Sequence, residues 1–419
     1  MHDLLDHPLH DVIKPTPSLE LEIPRPKMLT SKEELALARK AHQRNPQSLP
    51  LLYSLASKLV YADHFQEAIT LLESIDTADY TRFILLYNAY IGFETEPDNL
   101  KARDAAATAV NLADTPRRRA TALANLAKAH IRLSQPDHAE ALLRQALEAN
   151  PHNKDAYKRL FRLYLNESPQ KALDFANSMM DRGILHARVL GSVPMVLARM
   201  ERFDEAHAAE ALEDVLLQKT PEHPEGWGSL EAFNEALAAE ILAHPDMRYE
   251  RYGTASAKTW RVDEPSLHRS RVFPQLQTLI QREVLAYAAQ LAGSNHPLAR
   301  ACPRHASLRN WCVVTRGEGH ESWHVHQNGW ISGVYYIQVQ DHIAKGSGPD
   351  GCIVFGISDE IAGKETSQGY GEYLVRPHTG LMMMFPSHSA HKTYPHNGEG
   401  HRICFAFDVI PTDVISSAE

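Results

Sequence analysis

The chain has 419 residues, 43% of them hydrophobic and 23% charged, which is long for a single core and suits two or three domains. A formal net charge of -9 argues against a general phosphate-binding surface, so nucleic acid is not an expected partner. No stretch approaches the roughly 18 unbroken apolar residues of a membrane span, and the first residues lack the basic-then-apolar order of a secretion signal. The four cysteines (Cys302, Cys312, Cys352 and Cys404) form no CxxC pair and read as reduced thiols, which places the expected setting in the cytoplasm.

Residues 1–30 carry Pro8, Pro15, Pro17, Pro24 and Pro26, which deny backbone donors and disfavour helix before them, so an extended, partly mobile arm is expected. From about 31 the chain turns Ala- and Leu-rich with helical periodicity. SKEELALARKAHQRNP reads as the second helix of a partial first unit, ended by Pro46. In ALANLAKAHIRLSQPDHAEALLRQALEANP, Leu126 and Ala127 form the packing pair of one helix. Ala139, Leu143 and Ala146 face inward from the next, and Pro151 closes the unit. Equivalent alanines recur at Ala68, Ala102, Ala172 and Ala206, near the period of about 34 residues that marks a helix-pair solenoid. These offsets resemble the tetratricopeptide repeat, expected over 31–220. A concave face of that kind suits a peptide or protein partner, and the same repeats can also serve homo-oligomerisation.

The repeat ends near TPEHPEGW, and a second domain is expected over 221–419. Helices are predicted at about 226–244 and 274–292, the second opened by proline. After Leu308 the texture is strand-like: NWCVVTR, SWHVHQ, WISGVYYIQVQ, CIVFGIS, EYLVR, GLMMMFPS and HRICFAFDVI, separated by turn residues. Many short strands with few intervening helices imply an antiparallel barrel or jelly roll.

Within that barrel, His324 and His326 stand two apart, so one strand would aim both imidazoles the same way. His391 follows an apolar strand and a turn, and Arg402 opens the next strand. Together with SGVYY (332–336) and FPS (385–387), this order resembles the double-stranded β-helix oxygenases that use iron(II), 2-oxoglutarate and O2. More closely, it resembles a family patterned HxH, SGVYY, FPS, a distal His and an Arg before a Phe-rich strand. The match covers roughly 305–410.

The resemblance implies His324, His326 and His391 on the metal, Arg402 on the distal carboxylate of 2-oxoglutarate, and Tyr336 and Cys404 beside that co-substrate. Guanidinium, with two parallel donors, suits a carboxylate. The superfamily's usual carboxylate is replaced here by His326. Three readings stay open: all three histidines bind; His326 stands behind the ligands; or Glu318, Glu321 or Asp341 completes the set. The first is favoured, because alternation along a strand sends both imidazoles into one cavity. His388 competes with His391 in the same loop, while His320, His378, His396 and His401 read as ordinary surface or core residues. Trp311, Val313 and Phe385 read as barrel filling. The KGSGPDG and SDEIAGKETSQGYGEY segments are candidate lids.

The function expected is an iron(II)- and 2-oxoglutarate-dependent dioxygenase that hydroxylates a peptide or protein residue recruited by the repeats. Two alternatives remain. One keeps the chemistry on a small molecule, with the repeats oligomerising the chain; the other is a repeat scaffold with an inactive barrel.

Overall fold

Small residues at a fixed spacing let paired helices approach closely, and the first half of the chain is built that way. The computed structural model describes residues 19–412 apart from Tyr252 and Asn295. The stretch of the Pro-rich arm before Leu19 lies outside the described residues. Helix Ser31–Arg44 is followed by antiparallel pairs: Leu49–Tyr61 with Phe65–Glu73, Tyr80–Tyr90 with Glu96–Leu112, Pro116–Arg132 with Pro136–Ala149, Lys154–Glu167 with Pro169–Asp181, and Ser192–Arg199 with Phe203–Glu210. Ala68, Ala102, Ala139, Ala172 and Ala206 each sit on the second helix of a pair and are 0% exposed, so a larger side chain there would force the helices apart. Side-chain caps set several starts. Thr30 makes a reciprocal capping box with Glu33, and Asp79, Thr95, Thr115, Asn153 and Ser168 each accept a backbone N–H of the first turn, worth typically about 1 kcal/mol apiece.

The strands, in chain order, are β1 (Glu20–Glu22), β2 (Leu217–Lys219), β3 (Arg248–Tyr249), β4 (Ser256–Asp263), β5 (His305–Glu321), β6 (Ile331–Gln338), β7 (Ile353–Phe355), β8 (Tyr373–Val375), β9 (Met382–Pro386), β10 (His391–Thr393) and β11 (Arg402–Pro411). An eight-stranded sheet runs β2-β9-β6-β11-β5-β4-β3, with β1 added parallel to β5; the remaining pairs are antiparallel. The second sheet, β10-β7-β8, is small. Alternation along β11 divides its residues. Ile403, Phe405, Phe407 and Val409 share a core with Phe233 and Leu237 of helix Leu230–Leu242 and with Phe273 and Ile280 of helix Val272–Leu291. On the other face, Cys404 joins Val334 and Tyr336 of β6 against Ile353, Phe355 and Val375 of the small sheet. The jelly-roll reading and its flanking helices are therefore realised. Gly333 has to be glycine: a Cβ there would lie 2.2 Å from the Phe407 ring and 2.6 Å from the Met383 carbonyl.

The segment SWHVHQ is not a strand. Only His324 is bridged, to His391, while His326 anchors by donating its N–H to the Ser387 carbonyl at 2.9 Å. The arm's described part is extended as its prolines imply, and it is firmly docked. Leu19 and Leu21 enter the core behind the large sheet, β1 pairs with β5, and the Leu21 carbonyl accepts from Gln281 Nε2 at 2.6 Å. The chain thus begins its described course in the second domain's sheet, runs through the repeats, and returns.

Repeats and barrel meet at several places. The start of helix Ser31–Arg44 is held by Asp246, whose two carboxylate oxygens each accept the Ser31 N–H at 2.9 Å. Tyr61 reaches Asp263 at 3.2 Å, and Arg199 donates to the Ala362 carbonyl at 2.7 Å. His207 stacks on Tyr370 with 4.1 Å between ring centroids. Ile357 and Ala362 are buried in the core of the last repeats, so the SDEIAGKETSQGYGEY segment is clamped between repeat and barrel and does not stand free as a lid. Gly191 touches the loop that carries His391: a Cβ there would stand 2.6 Å from the His388 carbonyl and 3.2 Å from that of Ala187.

Gly191→Ala should therefore lower stability by about 1–3 kcal/mol in denaturant unfolding, since neither backbone can yield freely; an unchanged midpoint would contradict this contact. Burial also pushes His388 and His186 down to about 3 from their ordinary 6.5. Both are then neutral in the fold, while the unfolded chain takes up their protons below about 6.5. Stability of the metal-free protein should accordingly decline as pH falls from about 6.5 toward about 3. His388→Gln should make that decline shallower, and an equally steep decline in the variant would count against the burial argument.

Candidate metal centre

Three imidazoles converge where the large and small sheets meet. His324 and His391 exchange backbone hydrogen bonds of 3.0 Å in each direction, which fastens the loop after β5 to the start of β10. Ring centroids stand 4.2 Å apart for His324 and His391, and 5.1 Å for His326 with each of the others. One nitrogen from each ring lies within 4.8 Å of the other two.

The tautomers follow from the partners. His324 Nδ1 faces the Ser322 carbonyl at 2.7 Å, and His391 Nδ1 faces the Ser389 carbonyl at 2.9 Å. A carbonyl oxygen only accepts, so Nδ1 carries the hydrogen in both rings and Nε2 keeps its lone pair. His326 Nδ1 meets Asp408 Oδ1 at 2.5 Å, so it too carries a hydrogen at Nδ1. Burial, reinforced by the neighbouring rings, lowers His324 to about 3 and puts His391 well below its ordinary value, so both are neutral at pH 7. Three imidazoles whose Nδ1 atoms are tied down, leaving Nε2 for a metal, fit a divalent transition metal.

Asp408 was missed by sequence reasoning. Burial alone would raise its carboxyl, but His326 and the Ser332 hydroxyl, which donates at 2.6 Å, hold it below the usual range. Its signal was available: Arg402, Cys404 and Asp408 fall on alternate positions of β11 and so share a face. Trp311 and Phe385, read as filling, are the walls. Trp311 stacks on His326 at 5.4 Å and 26°, and Phe385 meets His391 edge-on at 4.9 Å.

Arg402 is 2% exposed and has no ion pair among the described residues. Its Nη1 donates to the Gly351 carbonyl at 2.7 Å and its Nη2 to Thr393 Oγ1 at 3.3 Å, while Nε has no partner. Gly351 belongs to the KGSGPDG loop, so that candidate lid packs on the guanidinium. Thr315 pairs across with Arg402, and Thr259 with Thr315; the hydroxyls of both threonines are buried and unpartnered. A row of unsatisfied polar groups therefore crosses β11, β5 and β4 on one face. A buried charge without an ion pair is costly, so this row is suited to an anion that brings acceptors. Tyr336 and Cys404 are direct cross-strand neighbours on that face. Tyr335 turns the other way and donates to Asn234 Oδ1 at 2.7 Å.

None of the three alternative carboxylates belongs to the histidine group. Glu318 is exposed and paired with Lys258, and Asp341 is exposed and paired with Lys345. Glu321 accepts from Ser256 Oγ at 2.7 Å and lies in the field of Arg261, Arg402 and His326, burial raising its carboxyl, but it is not one of the three grouped ligands. His388 points to the repeats at Gly191, and His401 lies just ahead of β11, where its carbonyl accepts from Gln338 at 2.9 Å.

Residues 309–408 match the family model described as "Putative 2OG-Fe(II) oxygenase", and residues 120–163 match that of the tetratricopeptide repeat. No curated protein matches the sequence. Similar solved structures include a prolyl-4-hydroxylase of Pseudomonas putida, 14% identical over 51% of this chain and 98% of that one, with a TM-score of 0.32. Another is YrrB, a tetratricopeptide-repeat protein with an unusual peptide-binding site, 18% identical over 42% of this chain and 92% of that one, at 0.33. PilF of Pseudomonas aeruginosa is 17% identical over 43% and 82%, at 0.36. These scores are too low for the neighbours to bear on function. No helix among the described residues is long and apolar enough to cross a membrane. The chain thus carries a stretch of the tetratricopeptide repeat and a 2OG-Fe(II) oxygenase stretch, whose family chemistry uses iron(II), 2-oxoglutarate and O2.

Proposed function

We propose that the chain hydroxylates a residue of a polypeptide, with iron(II) on Nε2 of His324, His326 and His391 and the distal carboxylate of 2-oxoglutarate on Arg402. The observation that carries this reading is the pairing of three convergent imidazoles with a buried guanidinium that makes no ion pair among the described residues. With the metal and co-substrates bound, the centre supplies oxidation of a C–H bond to C–OH while 2-oxoglutarate and O2 yield succinate and CO2. The remaining work belongs to the chain's own side chains. Arg402 orients the co-substrate, with Thr315, Tyr336 and Cys404 beside it. Trp311, Phe355 and Phe385 pack around the histidines and keep water from them.

Asp408 answers the absence of a carboxylate ligand. Through the His326 Nδ1–H it lends that imidazole negative character, restoring part of the charge that Asp or Glu would bring directly. A polypeptide substrate is favoured because the repeats reach the loop just after His326: Arg188 donates Nε and Nη2 to Gln327 Oε1 at 3.2 and 3.1 Å. Residues 31–220 and 221–419 remain our division into repeat and oxygenase parts, with β1 of the arm and β2 (Leu217–Lys219) adding to the sheet of the second.

The full chain loaded with iron(II) should convert 2-oxoglutarate to succinate; absence of succinate from iron-loaded, folded protein would overturn the reading. Asp408→Asn, which keeps an acceptor and removes the charge, should weaken Mn(II) binding by about 10–100-fold in calorimetry. Arg402→Gln should raise the 2-oxoglutarate KM by about tenfold or more while Mn(II) still binds, because one paired carboxylate contact is lost.

A further inference from the structure

The repeat surface beside the metal loop is positively charged in a chain whose formal charge is -9. On helix Lys154–Glu167, Lys154, Lys158 and Arg162 stand four apart, so they line one face. Lys154 Nζ donates to Asn328 Oδ1 at 3.2 Å, and Arg188 holds Gln327 as described. Gln327 and Asn328 follow His326 directly in the chain, so this face borders the metal centre.

The charge continues away from the barrel. Lys128, on helix Pro116–Arg132 of the preceding unit, lies in the field of Arg132 and Arg159. Those two arginines have partners, Glu94 at 2.6 Å and Asp155 at 3.3 Å. Lys128, Lys158 and Arg162 have no ion pair among the described residues. Burial, followed by the neighbouring cations, lowers Lys128 and Lys158 to about 8, a shift that Asp155, and for Lys128 also Glu94, offsets only in part, so each still carries its proton at neutral pH. An anionic partner would offset it further.

We propose that this face holds an acidic, Asp- and Glu-rich segment of the polypeptide substrate, leading it past Gln327 to the metal. The inference rests on the polypeptide-hydroxylase reading above. Side-chain carboxylates spaced along a flexible chain suit cations that are interrupted by Asp155 and Glu94. A continuous phosphate backbone does not, because it would meet those two acids as well as the chain's negative balance.

The test uses the metal-loaded full chain and fluorescence anisotropy with four labelled probes: an Asp/Glu-rich peptide, a Gly/Ser peptide, a Lys-rich peptide and a single-stranded oligodeoxynucleotide. The acidic peptide should bind tightest, and added salt should weaken it. In a double variant, Lys128→Glu with Lys158→Glu, its affinity should fall at least about tenfold. The milder Lys158→Ala with Arg162→Ala serves if the first pair fails to fold by its melting curve. Equal binding of acidic and neutral peptides, tighter binding of the oligonucleotide, or undiminished affinity in a folded variant would each overturn the proposal. Binding of 2-oxoglutarate to the Mn(II)-loaded wild-type chain is scored separately. If it binds while the acidic peptide does not, only this inference falls; if the peptide binds and 2-oxoglutarate does not, the reading of the metal centre falls.

Discussion

Two backbone hydrogen bonds between His324 and His391, each 3.0 Å, tie the loop that leaves β5 to the strand that opens the small sheet. The His326 N–H to the Ser387 carbonyl adds a second fastening one step along. Backbone fixed on both sides leaves the three rings only their χ angles, and each Nδ1 then meets an acceptor that holds the ring and its tautomer. Such support is the usual way a protein prepares donors before a metal arrives. It also explains how an extended segment that is not a strand achieves the convergence expected of one.

The repeats are part of this arrangement through packing. Gly191 abuts the His388 carbonyl within the loop between Ser387 and His391, and Ile357 and Ala362 of the barrel complete the core of the last repeats. Meanwhile Asp246 holds the start of helix Ser31–Arg44 and β1 adds to β5, so the segments that enter and leave the solenoid are both built into the oxygenase sheet. A change in the curvature of the solenoid would be felt at both ends of the barrel. That coupling gives the fusion a structural reason beyond tethering two activities in one chain.

Much of this was legible in the sequence. The alanines at 68, 102, 139, 172 and 206 announced the helix pairs because close helix approach is a local, periodic demand. The histidines and Arg402 were legible as a set, since alternation and turn signals order them along the barrel. What was not legible depends on which strands become neighbours. Thr259 and Thr315 matter only because β4 and β5 lie beside β11, and Asp408 matters because β11 runs antiparallel to β6 and brings it under His326 and against Ser332. The docking of the arm was hidden for the same reason: prolines imply an extended chain, but nothing nearby in the sequence says that its partner is β5.

Three imidazoles on the metal and Arg402 on the co-substrate are tested most directly by a crystal structure of the full chain grown anaerobically with Mn(II) and 2-oxoglutarate. Nε2 of His324, His326 and His391 should lie on the metal, Asp408 should still accept the His326 Nδ1–H, and the distal carboxylate should lie on the Arg402 guanidinium. A metal carried by Glu321 or another carboxylate in place of His326, or 2-oxoglutarate bound away from Arg402, would contradict this arrangement.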